Sequence, residues 1–311
     1  MTPATATTTD APVETDWPSV TIVVLTWENY ADTAECLETL RDVDYPTYDV
    51  VVVDNGSTDG SPERLASEFE WCEFIFNDEN LGFARGNNPG IERALAEGAD
   101  YVLLLNNDTA VPPDFLRPLV ETAESHDDVA AVGGVQYRYD TGAILNAGSR
   151  FFPYLGGRVT TYQDVRDRDP YEVSYVPSSL LLIDREFIRE NDILYEGYFL
   201  GMEDVDLAVQ ARQSEKRVLI APESTIRHKE GLTRDRSPFM VYHWMRNRLT
   251  FAASRLPLVK RVVFYVMFLA TLVQFATFWA YRGRTDLLNS MYIGIRDYFL
   301  DAEFRSYEYF Q

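Results

Sequence analysis

Three groups of acidic and amide side chains stand at the ends of apolar runs or open an amphipathic one. The run over 49–54 closes on Asp54-Asn55-Gly56-Ser57-Thr58-Asp59-Gly60, and Tyr101-Val102-Leu103-Leu104-Leu105 closes on Asn106-Asn107-Asp108. Glu203-Asp204-Val205-Asp206 lies well downstream. A carboxylate at the carboxyl end of a buried strand is rigidly held, and that edge is where open α/β sheets bind ligands. Magnesium and manganese take oxygen ligands, keep several waters and share substrate phosphates, so one carboxylate beside a diphosphate suffices. A second carboxylate can remove a hydroxyl proton. Together the groups point to a nucleotide pocket, a metal–diphosphate site and a base for group transfer.

Such groups need a sheet to position them, and the chain supplies the pattern. Strand-like runs over 20–26, 49–54, 72–77, 100–106 and 129–137 alternate with helix-spaced segments over 31–41, 83–97 and 114–125. Ser61-Pro62 adds an N-cap and a first-turn proline. Short loops between alternating strands and helices imply a mostly parallel sheet with helices on both faces. Beyond Tyr139 the pattern turns irregular to about Tyr171. It resumes with strands over 175–183 and 217–221 and a helix from Asp204 to Gln213. We read one catalytic domain over 18–255, with a nucleotide half to about 138 and an acceptor half from 139.

Composition narrows the partners. A hydrophobic fraction of 46% with 14% aromatic residues is that of a folded chain, and 311 residues bury one generous core with room for an appendage. The formal net charge is −21, and Lys216, Lys229 and Lys260 are the only lysines. An acidic, lysine-poor surface suits concentrated salt, where screening removes self-repulsion, so we expect a halophilic, archaeal source. The same charge argues against nucleic acid as a partner. Against this background Arg227 to Arg284 is basic, with Glu230 and Asp235 its only acids before that last arginine. That stretch implies bound anions (donor phosphates, a lipid phosphate or headgroups) or else a solvated helix face. Cys36 and Cys72 show neither metal-ligand nor disulfide-framework spacing.

Residues 1–17, rich in Thr, Ala and Pro, read as a flexible leader without a signal pattern. The twenty positions 262–281 carry no charge and are flanked by Lys260-Arg261 and by Arg282 and Arg284. That length matches a bilayer's hydrocarbon core, though Thr271, Gln274 and Thr277 dilute it. A span, a helix in the interface, a re-entrant hairpin and a buried soluble helix all remain open. We read 256–311 as a helical, membrane-associating region.

The motifs have a family likeness. Asp54 to Ser61, Asn80-Leu81-Gly82-Phe83-Ala84-Arg85-Gly86-Asn87-Asn88, Leu105-Asn106-Asn107-Asp108-Thr109 and Glu203-Asp204-Val205-Asp206-Leu207 resemble, in order and separation, the motif series of family-2 glycosyltransferases. The rhamnosyltransferase-like branch is nearest, and the likeness covers about 20–248. It implies an α/β, GT-A-like fold, a nucleotide-sugar donor, a divalent cation (Mg2+ or Mn2+) and inversion at the anomeric carbon. With the composition, it implies assembly of lipid-linked glycans for archaeal surface-protein N-glycosylation, including S-layer protein. The acceptor is then a polyprenyl- or dolichyl-phosphate-linked saccharide, met at the cytoplasmic face of the cell membrane.

By the same resemblance Thr26, Glu28 and Asp54 hold the nucleotide's base and ribose. Arg85, where relatives often have glycine, and Asn107 face the donor. Asn106 replaces the first acid of the family's metal motif, so Asp108 carries the metal-ligating charge, with His228 as a further ligand. Asp204 is the general base, with Glu203 or Asp206 as alternatives, held ionised by the helix N-terminus. Arg246, in Arg246-Asn247-Arg248, neutralises the leaving diphosphate. Other readings are a sugar nucleotidyltransferase, which would need a Gly-rich basic loop where Thr26-Trp27-Glu28-Asn29-Tyr30 stands, and a catalytically silent scaffold, which Asn106 permits.

Overall fold

The computed structural model describes residues 17–191, 194–229, 237–305 and 307–310. The leader read over 1–17 therefore lies outside the described residues except for Trp17, as do Glu230 and Gly231 after His228 and Arg234, Asp235 and Arg236 of the basic stretch.

The amino-terminal half alternates as its periodicity predicts: β1 (Val20–Thr26), α1 (Tyr30–Leu40), β2 (Tyr48–Asp54), α2 (Ser61–Glu68), β3 (Glu73–Phe76), α3 (Gly82–Glu97) and β4 (Tyr101–Asn106). β5 (Thr109–Ala110), α4 (Leu116–Glu124) and β6 (Val129–Arg138) come next. The segment expected to be irregular holds short strands, β7 (Ile144–Asn146), β8 (Ser149–Phe152), β9 (Arg158–Thr161) and β10 (Tyr171–Glu172). Then come β11 (Leu180–Asp184), α5 (Arg185–Glu190), α6 (Glu203–Gln213), β12 (Arg217–His228) and α7 (Pro238–Arg255). α8 (Leu258–Tyr281) and α9 (Thr285–Phe299) follow, and a 3-10 turn over Tyr307–Phe310 comes last.

The central sheet runs β10-β12-β6-β11-β4-β1-β2-β3. β4, β1, β2 and β3 are parallel, β12 is parallel to β6, and β11 lies antiparallel between β4 and β6. Successive side chains of a strand point to opposite faces, and the core divides accordingly. Val23, Val51, Val53, Val102 and Leu104 pack with α3, α6 and α7 residues such as Ile91, Ala208 and Met245. Ile22, Val24, Val50, Val52, Leu103 and Leu105 pack with Leu37, Leu65 and Leu119 of α1, α2 and α4.

Two expectations needed revision. The strand over 175–183 begins only at Leu180, because Pro177 has no N–H to donate; Tyr175 makes a single bridge with Ser149. The strand over 217–221 continues to His228, since a bulge between Ala221 and Thr225 takes up Pro222 and lets the chain rejoin β6. That continuation brings His228 to the sheet edge beside Thr109.

The three last helices are packed together. α9 lies against α7, where Gly294 permits close approach: a Cβ there would sit 2.5 Å from the Tyr242 carbonyl oxygen. Asp297, almost fully buried, accepts from Arg296, Arg305 and the Tyr242 hydroxyl. α8 rests on the domain through Phe264, Phe268 and Trp279 and exposes most of its remaining surface.

Candidate active site

The floor of the site is the carboxyl edge of β1, β2 and β4, in register at Thr26↔Asp54 and Leu25↔Asn106. Asp54 is buried, but its partners come from its own turn. Oδ2 accepts from the Gly56 and Ser57 amides at 3.1 Å each, and Oδ1 accepts from Ser57 Oγ at 2.5 Å. The sequence reading left this carboxylate to be satisfied by a ligand's base or ribose; the turn already satisfies it. Ser57 Oγ also accepts from the Glu28 amide at 2.8 Å, and Thr58 donates to Glu28 Oε1 at 2.9 Å. Glu28 remains exposed at this edge. Thr26 is buried and bonds Thr33 Oγ1 at 2.8 Å, while Asn107 Nδ2 donates to the same Thr33 oxygen at 2.8 Å. Thr26 and Asn107, through Thr33, thus fix the loop that carries Asp108.

Asn55 is of a residue type that tight turns favour, and here it does more. Its Oδ1 accepts from the Leu81 amide at 3.1 Å and its Nδ2 donates to Asn80 Oδ1 at 3.0 Å and Gly82 O at 3.1 Å. It fastens the β2 edge to the start of α3. Gly82 sits at φ +79°, and a Cβ would fall 2.3 Å from the Phe199 carbonyl oxygen, which accepts from the Phe83 amide at 2.6 Å. The loop before α6 is thereby held over α3. Between them lies a cleft of about 730 Å³ lined by Leu25, Trp27, Asn55, Leu81, Arg85, Phe199, Phe239, Glu303 and Phe304 among others. Of the donor residues expected from sequence, Arg85 alone is among its lining residues; half-exposed, it lies 3.6 Å from Glu196.

Asp108 and His228 meet. His228 Nε2 lies 3.0 Å from Asp108 Oδ1, a buried oxygen that accepts no hydrogen bond from any described residue. Gln136 Oε1 stands 3.4 Å from the other ring nitrogen, Nδ1, and accepts from Ser179 Oγ at 3.0 Å. Asn106 Nδ2 lies 3.4 Å from Nε2, so an amide side chain stands at each ring nitrogen. A carboxylate oxygen and an imidazole nitrogen at 3.0 Å are satisfied by a proton on Nε2 or by a cation held between them, and these donor types fit a divalent metal, manganese above magnesium on account of the imidazole. Among the described residues no third His, Cys, Asp or Glu joins them, so the other positions fall to neutral oxygens, water and phosphate.

The three acids of α6 part company. Asp206 is 1% exposed and paired through both oxygens with Arg255 at 2.7 Å, with Tyr198 and Gln210 adding bonds at 3.1 and 3.0 Å. That excludes it as a base: it is a clamp between α6 and α7. Glu203 is buried, with Oε2 unpartnered among described residues. Asp204 lines a second, largely apolar cavity of about 310 Å³ with Leu200, Met240, Val241, Trp244, Val159 and Tyr175. Burial raises both carboxyls above the ordinary range, Glu203 further because the Asp204 charge adds to it. Amide bonds at the helix start pull the Asp204 pKa down and desolvation outweighs them, raising it to about 6, which still leaves the carboxylate mostly ionised at neutral pH.

The basic stretch is largely spent inside the protein. Arg246 donates to the Glu303 carbonyl at 3.1 Å and to the Ala302 carbonyl, and its guanidinium lies over the Phe304 ring. It holds the wall of the first cleft and is not poised on a leaving diphosphate, contrary to the sequence reading. Arg248 is buried between Trp244 and Phe268, Arg255 pairs with Asp206, and Arg261 caps the carbonyls of Ala253 and Leu256. Lys229 pairs with Asp32 and Glu35, and Arg284 with Asp286. Asn247, hidden in sequence between two arginines, donates to the Leu200 and Gly201 carbonyls at 2.9 and 2.8 Å and so fixes the turn before Asp204.

Known proteins resemble this chain in sequence and in fold. The family model described as Glycosyl transferase family 2 matches residues 21–191, more than half of the chain. A glucosyl-dolichyl phosphate glucuronosyltransferase of Haloferax volcanii is 31% identical over 120 residues, 37% of this chain and 37% of that protein, so the match spans well under half of that relative. An N-acetylglucosaminyl-diphospho-decaprenol L-rhamnosyltransferase of Mycobacterium tuberculosis is 25% identical over 214 residues, 61% of this chain and 69% of that protein. Among solved structures, the mannosyltransferase PcManGT from Pyrobaculum calidifontis, in complex with GDP-Man and Mn2+, superposes with a TM-score of 0.56 at 18% identity. It covers 93% of this chain and 89% of that one. The fold is GT-A-like.

Proposed function

The chain belongs to glycosyl transferase family 2, and on that premise we propose that it moves a sugar from a nucleotide-sugar donor to a hydroxyl of a lipid-linked saccharide, inverting the anomeric carbon. The observation that carries this reading is the position of Asp204. Leu200 lines both cavities, so they adjoin at the turn from which Asp204 enters the second. A donor in the larger cleft and an acceptor in the smaller one would meet beside this carboxylate.

In this mechanism Trp27, Asn55 and Arg85 border the donor, Arg85 facing its phosphates. Asp204 takes the acceptor hydroxyl's proton as that oxygen attacks the face opposite the leaving nucleotide. Its raised pKa makes it the stronger base. Glu203, kept protonated by burial, avoids a second negative charge at the same helix end. A divalent cation bound by Asp108 and His228 would supply charge neutralisation to the departing diphosphate.

A lipid-linked acceptor is supported by the dolichyl and decaprenol carriers in the names of two relatives and by the exposed apolar surface of α8. The Haloferax relative and the net charge of −21 support a salt-adapted enzyme of archaeal surface-glycan or protein N-glycosylation assembly. Nucleotide sugars are made in the cytoplasm, which puts the catalytic domain on that face of the membrane. The test is Asp204→Asn. Transfer to a polyprenyl-phosphate-linked saccharide should fall about 100- to 10,000-fold, while donor binding by calorimetry stays near wild type. Undiminished transfer would refute the assignment.

A further inference from the structure

We infer that α8 docks in the plane of one membrane leaflet and does not cross the bilayer. This rests on the membrane reading of the proposed function and goes beyond it in fixing the topology. α8 is 24 residues long, about 36 Å at 1.5 Å per residue, enough to span a hydrocarbon core of about 30 Å. A span would carry everything after Tyr281 to the far side. The structure forbids that, because the chain beyond α8 is built into the domain that precedes it. Gly294 packs on the backbone of Tyr242, Asp297 accepts from the Tyr242 hydroxyl, and Arg246 holds the carbonyls of Ala302 and Glu303. A hairpin in which α9 returns through the bilayer fails as well. α9 has 15 residues, about 22 Å, and its Asp297 is paired with Arg296 and Arg305 on the α7 side.

A helix lying flat satisfies these constraints, and the surface of α8 is made for that. Phe264, Phe268, Phe275 and Trp279 form one stripe, packed on the domain. On the opposite side Val259, Val262, Val266, Leu269 and Val273 recur every three or four residues and are each more than half exposed. Exposure continues around the flanks through Val263, Tyr265, Met267 and Phe278. A second protein helix would cover one stripe of such a cylinder, whereas a lipid phase covers the whole arc. The hydroxyls of Thr271 and Thr277, which interrupt the run in sequence, donate to the Met267 and Val273 carbonyls of the helix itself. Lys260 and Arg282 stand exposed near the two ends, their charged heads beside the Tyr154 and Phe278 rings, where headgroups can be met while the helix stays among acyl chains.

The experiment uses the full chain with single cysteines at two exposed loop positions, Gly60→Cys in the catalytic domain and Asp301→Cys beyond α9; the native Cys36 and Cys72 are buried. In-plane docking predicts that a membrane-impermeant maleimide labels both sites in inside-out vesicles and neither in intact cells. Asp301→Cys labelled in intact cells, with Gly60→Cys protected, would overturn this inference and leave membrane association standing. A protein wholly soluble in molar salt would overturn both. As a second measure, Val266→Glu with Leu269→Glu should lower flotation with phosphatidylglycerol/phosphatidylcholine vesicles at least about tenfold, with nucleoside-diphosphate binding unchanged. Unaltered flotation would show that this face is not the docking surface.

Discussion

Replacing Asp206 with alanine should unfold the protein several degrees early, whereas Asp204→Asn two residues away should leave stability nearly intact. Asp206 receives four hydrogen bonds at 2.7 to 3.1 Å, two from the Arg255 guanidinium. Arg255 is itself only 17% exposed. Removing the carboxylate strands that cation against protein, a loss of about 3–5 kcal/mol for a broken buried pair. At about 2.1 cal/mol/K per residue, 311 residues give an unfolding entropy near 650 cal/mol/K, so Tm should drop by about 5–8 °C. Replacing both partners with apolar residues, Asp206→Leu with Arg255→Met, removes the stranded charge and should recover most of the loss. Circular dichroism melts of the four proteins, alongside transfer assays, provide the measurement. An Asp206→Ala protein within about 1 °C of wild type, or an Asp204→Asn protein that loses as much, would refute the division into clamp and base.

His243 offers a pH test. Burial among Phe199, Phe239 and Tyr242 depresses its pKa to about 3, with Arg246 adding to the effect. The folded state then binds fewer protons than the unfolded state below about pH 6.5, so stability should fall on acidification by up to about 1.4 kcal/mol per pH unit. His243→Phe should flatten that dependence in denaturant titrations at pH 7 and pH 5; parallel curves would count against it. Asp108→Ala should abolish manganese binding seen by electron paramagnetic resonance, and His228→Ala, which removes the other proposed ligand, should weaken it by at least the roughly tenfold that losing an outer-shell partner costs. Arg246→Ala should release Glu303 and Phe304 from the cleft wall and weaken nucleoside-diphosphate binding by calorimetry, while an unchanged affinity would show that this wall is dispensable.

Much of the fold was legible because its signals are local. The runs ending at Thr26, Asp54 and Asn106 alternate with helices whose apolar spacing faces one side of the sheet or the other. The pairing of Asp108 with His228 came from the order of motifs, not from any short-range pattern, since β12 has to pass a bulge to bring the histidine in. What stayed hidden was who satisfies whom. Asp54 is answered by Ser57 in its own turn, a signal that Asp-Asn-Gly-Ser did contain. Arg246 is answered by carbonyls of residues 302 and 303, which no side-chain pattern marks. For Glu203 and Asp204 the helix end is a local feature and burial is not, and burial decides the direction of the shift.

The wall made by Glu303 and Phe304 has a consequence for how the protein comes into being. The floor of the cleft, Leu25 and Trp27, leaves the ribosome early, but the cleft lacks one side until residues beyond α9 have been made. α8 emerges before them, so its apolar arc is offered to solvent or lipid while the site is still open. On the proposed function, the docking face of α8 would therefore be available to a membrane before the cleft can close around its donor. Newly made copies held away from lipid would be expected to aggregate through α8 and not to accumulate as active soluble enzyme.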